Sequence, residues 1–145
     1  MPTVNLAQAD QIITAALAHG RAAGMKPLTV VVLDSGGHVV ALKREDNSSL
    51  MRPQIATGKA WGTLALGMGA RDIAKRAAVA PAFIGALSDM SGGKVVPVPG
   101  GVLIKDGTGA ILGAVGVTGD LSENDEACAI AGIQKAGLMA DAGSA

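Results

Sequence analysis

The sequence predicts an α+β fold, an antiparallel sheet covered by helices, and three observations carry that prediction. Strand-like runs come in pairs: Leu28 to Asp34 and Val39 to Lys43 flank Ser35-Gly36-Gly37-His38, and the runs beginning at Val102 and Ile111 flank Asp106-Gly107-Thr108-Gly109. Helical periodicities are grouped between those pairs and at the two ends, rather than alternating with single strands. Hairpin-linked strands with grouped helices indicate a sandwich around an antiparallel sheet, not a doubly wound parallel one.

Asn5 is placed to cap a first helix beginning at Leu6, with Gln8 reaching back as in a capping box. Leu6, Ala9, Ile13, Ala16, Leu17 and Gly20 share one face, and Lys26-Pro27 stops the helix near Gly24. After the first hairpin, Ser48 and Ser49 offer caps for an Ala- and Leu-rich helix from about Arg52 to Met68, ended by Gly69. Shorter helices are expected near Arg71 to Ala78 and Ala82 to Met90, with Ser91-Gly92-Gly93 leading into an extended segment from Lys94 to Val98. Pro97-Val-Pro-Gly-Gly101 then precedes the second hairpin, whose glycines Gly113, Gly116 and Gly119 signal a bulge or the close approach of another backbone, a ligand or a neighbouring subunit. Ser122 is expected to cap the last helix, with Asp125 and Glu126 favouring its dipole in the first turn. That helix carries Ile130, Ile133, Ala136 and Leu138 and frays from Asp141 onward.

A chain of 145 residues is one domain, 1–145, large enough to bury a core. Trp61 and Phe83 are the sole Phe, Tyr or Trp side chains, which argues against base-stacking recognition of single-stranded nucleic acid. Twelve basic and twelve acidic residues leave no net field to draw in nucleic acid or an anionic membrane. No run approaches the ~18 apolar residues of a membrane span, and Met1-Pro-Thr-Val-Asn-Leu is no secretory signal, so a cytoplasmic location is the simplest expectation. A mean hydropathy of +0.40 with low charge points to a homo-oligomer that hides part of its surface. With Cys128 the lone cysteine, no internal disulfide or multi-thiolate metal site is possible, and that thiol reads as inert packing.

Asp34 ends an apolar strand immediately before a glycine turn, where an aspartate either accepts turn amides or offers a carboxylate at a cleft edge. Lys59 stands in the uncharged stretch Ile55-Ala-Thr-Gly-Lys-Ala-Trp61. If buried it needs a carboxylate or an anionic ligand; otherwise its stem lies on apolar surface with the amine in water. Arg44 belongs to a charged loop that also suits solvent. One functional reading makes Asp34, Lys59 and Arg44 catalytic, beside ligand-binding amides of Gly100 and Gly101 and the side chain of Arg52. Such a site would move protons on a small unsaturated carboxylate without a cofactor, by isomerisation, tautomerisation or deamination. A non-catalytic oligomeric scaffold is a further class. His19 and His38 lie in different elements without metal-ligand spacing, yet a single histidine suffices as the axial ligand of a haem.

Taken together, Val31-Val-Leu-Asp-Ser-Gly-Gly37, Arg44-Glu-Asp46, Ala56-Thr-Gly-Lys-Ala60, Pro97-Val-Pro-Gly-Gly101, Gly113-Ala-Val-Gly-Val-Thr-Gly119 and Asp125-Glu126 resemble the GlcG/HbpS-like family of haem-binding or haem-degrading proteins. The same domain forms the C-terminal part of PduO-type corrinoid proteins, and the resemblance runs from about Asn5 to Leu138. It implies a profilin-like arrangement: a central antiparallel sheet of about five strands, helices on both faces, and assembly as dimers or larger oligomers. It also implies haem as the cofactor, a small-molecule ligand. His19 is the axial ligand by resemblance to the PduO-type domain, His38 the less favoured one, and Arg21 or Arg44 would meet the propionates.

Overall fold

Asn5 Oδ1 accepts the Gln8 amide at 2.8 Å and the Gln8 side chain accepts the Asn5 amide at 3.0 Å, so helix α1 (Leu6–Ala22) opens on the expected capping box. The computed structural model describes residues 2–144. Strands β1 (Thr29–Asp34) and β2 (Val39–Arg44) form the first hairpin, followed by helices α2 (Arg52–Leu66), α3 (Ala70–Val79) and α4 (Pro81–Met90). The second hairpin is β3 (Gly101–Lys105) with β4 (Ile111–Thr118), and α5 (Ser122–Lys135) and β5 (Met139–Asp141) complete the chain. The strands form one five-stranded sheet, β2-β1-β4-β3-β5, antiparallel throughout. Central β1 and β4 pair from Thr29↔Thr118 to Asp34↔Gly113.

The two faces follow from alternation along the central strands. Val30 and Val32 of β1, with Val115 and Val117 of β4, face α1 and α5, where Ile12, Ile13, Ala129 and Ile133 pack on them. Val31 and Leu33, with Ala114, face Ala56 and Ala60 of α2. The predicted α+β sandwich with helices on both faces is therefore the observed one.

Five local expectations are corrected. Ser48 and Ser49 do not cap α2: its N-cap is Met51, with no side-chain bond, because Pro53 removes one orphan amide and the Ser49 hydroxyl accepts from Arg52 Nε instead. Helix α2 ends at Gly67, whose φ of 67° is left-handed, and Gly69 instead becomes the N-cap of α3, since a Cβ there would strike the Ala142 backbone. Ser122 likewise makes no cap; Leu121 is the N-cap of α5. Lys94 to Val98 pairs with no strand, because Val96 donates to the Gly58 carbonyl of α2 and Pro97 and Pro99 lack ladder donors. The C-terminal segment, in turn, is held rather than frayed. Met139–Asp141 pairs with β3, and Ser144 donates to Asp72 and accepts from Arg71 and Lys75.

Gly116 faces α2 and sits where a Cβ would overlap the Ala56 carbonyl. Gly116→Ala is expected to cost about 3 kcal/mol by overpacking, whereas Gly107→Ala, in open space at a turn, should change stability by less than about 0.5 kcal/mol. Urea unfolding of the two variants checks this, and equal midpoints would contradict it.

Candidate functional site

Lys59 is 2% exposed, and its Nζ donates to the Val117 carbonyl at 3.0 Å and to Asp125 Oδ2 at 3.2 Å. Asp125, 1% exposed at the start of α5, also accepts the Asp120 amide at 2.9 Å on its other oxygen. Burial pushes the Lys59 amine below its ordinary value and the Asp125 carboxyl above its own, each partly offset by the partner. The anion that a buried Lys59 needs is thus Asp125, supplied from within the chain. Gly100 and Gly101 lie against the same lysine, buried, with side-chain space filled by Lys59 itself. The side-chain positions of both residues are closed off by α2 and β4, so neither borders open space. Arg52 donates from Nη1 to Thr118 Oγ1 at 2.8 Å, beside the lysine.

Asp34 is not part of that group. It ends β1 opposite Gly113, about 17 Å along the strand from Thr29, the residue that pairs with Thr118 near Lys59 and Arg52. Its Oδ1 accepts the amides of His38 and Gly36, both at 3.0 Å, which hold its carboxyl below the ordinary range. Arg44 is bound through Nη1 to the Ser48 carbonyl at 2.6 Å. Asp34, Lys59 and Arg44 therefore do not converge on one cleft.

His19 projects from α1 into solvent. Its helical neighbours at i−4, i+3 and i+4 are Ala15, Ala22 and Ala23, so its own helix places only small side chains beside it. Arg21 points about 160° away around the helix axis and is tied to Glu45 Oε2 at 3.0 Å and the Lys26 carbonyl at 2.7 Å. Together with Pro27, Arg44, Glu45 and Asp46 it lines a polar groove of about 390 Å³. His38 is also exposed, with Nδ1 3.3 Å from Asp34 Oδ1.

A larger groove of about 470 Å³ lies on the outer side of α2, lined by Pro53, Gln54, Thr57, Gly58 and Trp61, by Gly37 of the β1–β2 turn, and by Gly92, Gly93 and Lys94. It was not singled out from sequence; its one advance signal is that a lone tryptophan shares a helical face with residues 53, 54, 57 and 58. Cys128 is buried, its Sγ 3.4 Å from Met25 Sδ, and burial raises its pKa to about 11, which leaves it an unreactive thiol.

The model of the haem-degrading HbpS-like family matches residues 4–134. The chain belongs to that family. Among solved structures, a doubly substituted HbpS from Streptomyces reticuli is 26% identical over 92% of this chain and 87% of its own, with a TM-score of 0.80. The haem complex of PduOC is 22% identical over 94% of this chain and 96% of its own, at a TM-score of 0.83. Protein ORFY of Klebsiella pneumoniae is 24% identical over 94% and 92%, at 0.85. A comparison with curated proteins returns no significant match. In this HbpS-like chain no helix among the described residues is long and apolar enough to cross a membrane.

The Lys59–Asp125 pair yields a prediction with a pH signature. Lys59→Met leaves Asp125 buried without its cation and is expected to cost about 3–5 kcal/mol near neutral pH. In that variant the folded-state pKa of Asp125 lies further above its unfolded value. Its folded state therefore loses stability as pH rises through that raised pKa, and the deficit against wild type shrinks as pH falls toward the ordinary carboxylate range. Urea unfolding between weakly acidic and neutral pH measures this; a deficit independent of pH would contradict it.

Proposed function

We propose that this protein binds haem on the outer flank of α1, with His19 as axial ligand, in a homo-oligomer whose neighbouring copy covers the open side of the macrocycle. The observation that carries the reading is the exposed His19 imidazole standing among alanines at 15, 22 and 23. A flat tetrapyrrole can approach such a ring without displacing a side chain. Membership of the haem-degrading HbpS-like family supports it, as does the shared fold with a PduOC structure that contains haem. A haem held there would supply a redox-active iron.

The other side of the macrocycle calls for a second copy. The helix beside His19 is alanine-rich, while Leu50, Met51, Val79, Phe83 and Met90 stand exposed elsewhere and suit contact with another copy. Arg21 and Arg44 do not fit as propionate partners of a haem on the same chain's His19, since Arg21 points away and both are already bound. A second reading places the iron on His38, favoured by one observation: Asp34 contacts its Nδ1, the arrangement by which carboxylates orient metal-binding histidines and leave Nε2 free.

Titration with haem separates the two. His19→Ala is expected to abolish or shift the Soret band while His38→Ala leaves it unchanged; the reverse result moves the iron to His38, and an unchanged spectrum in both variants removes histidine ligation. Light scattering should return a multiple of 14.3 kDa. A monomer mass would overturn closure by a second copy.

A further inference from the structure

We propose that the groove on the outer side of α2 is a separate binding site for a small planar carboxylate. Three segments far apart in sequence build it. Pro53, Gln54, Thr57, Gly58 and Trp61 share one face of α2, and the walls are Gly37 and the Gly92-Gly93-Lys94 bend. Gly37, Gly92 and Gly93 have φ of 83°, 77° and 82°, so these walls are left-handed backbone that glycine alone adopts readily. Without side chains on them, the space of about 470 Å³ against the Trp61 indole suits a flat body.

The polar character of the lining selects the charge. Lys94 is the one charged residue in it, with its ammonium 5.6 Å from the Trp61 ring centroid, and it makes no ion pair among the described residues. The Trp61 Nε1–H and the Gln54 side chain likewise have no hydrogen-bond partner there, whereas Thr57 spends its hydroxyl proton on the Pro53 carbonyl at 2.7 Å. The groove also meets the first turn of α2, the positive end of a helix dipole, which holds no acidic residue and no side-chain cap. One cation, two unpaired donors and a helix N-terminus, with no carboxylate in the lining, complement a singly charged anion. A phosphate dianion would find too few charges.

This site stands on the α2 side of the sheet, away from His19 on α1, so it does not depend on the haem reading. Trp61 is the sole tryptophan and therefore gives the sole indole N–H resonance of the protein. Benzoate is the probe, with benzamide as the uncharged planar control. Benzoate should shift that resonance saturably and benzamide should not. Lys94→Met should weaken benzoate about fivefold, Lys94→Arg should retain binding, and His19→Ala should leave it unchanged. No saturable shift with benzoate, equal affinity in Lys94→Met, or competition between benzoate and haem would overturn the proposal.

Discussion

Helix α2 lies so close to the sheet that backbone meets backbone, and most other features of the molecule answer to that contact. At Gly101 and Gly116, on adjacent strands in register, an added Cβ would run into the Lys59 and Ala56 carbonyls. Ala56 and Ala60 keep the helix side of the contact equally thin. Such an approach excludes water and larger side chains at once, which is why a glycine-rich strand and an alanine-rich helix occur together in this chain. It also brings the stem of Lys59 into the layer between them, where its amine has no route to solvent.

A buried amine requires a buried counter-charge, and the need is met from the opposite side of the sheet's end. Asp125 enters from α5 and closes the gap, while the amides that precede α5 bind its second oxygen. The pair joins α2, β4 and α5, and a second tie runs parallel to it: Arg71 of α3 grips Glu126 through two hydrogen bonds of 3.1 and 2.7 Å. Neighbouring carboxylates at the start of one helix thus fasten it to two others. A buried pair of this kind is worth less than its Coulomb attraction suggests, because both charges give up water. Structurally, it ties the start of α5 to α2 across the end of β4.

The parts of the fold legible in the sequence are those decided by neighbours along the chain. The Asn5–Gln8 capping box and both hairpin turns are matters of a few consecutive residues. Asp34 shows the same rule: of its two readings, the turn-amide one uses only residues 36 and 38, and those are the bonds it makes. Gly116 announces that something comes close without saying what. Lys59 announces the need for an anion, but the anion stands 66 residues away and reads locally as a dipole charge. The same distance hides the groove beside Trp61, assembled from the β1–β2 turn, α2 and the α4–β3 loop. The extra strand β5 escapes for another reason: three residues are too few to show a period, and its register comes wholly from β3.

The sheet divides the molecule chemically as well as structurally. On the α1 and α5 side the core is Ile and Val, tightly filled, with a small-residue crossing at Gly132 against Ile12 and Ala16. That side leaves no interior groove, and its exposed features, His19 among them, lie on the outer flank of α1. On the other side α2 presses its inner face to the sheet and is left with an outer face carrying Trp61, which α3, α4 and the glycine bend cover only in part. The closeness that denies α2 any space beneath it leaves its outer face as the place where concavity can form. The His19 flank of α1 and the groove beside Trp61 therefore both follow from one packing decision, a closed core on both faces of the sheet, and each lies outside it.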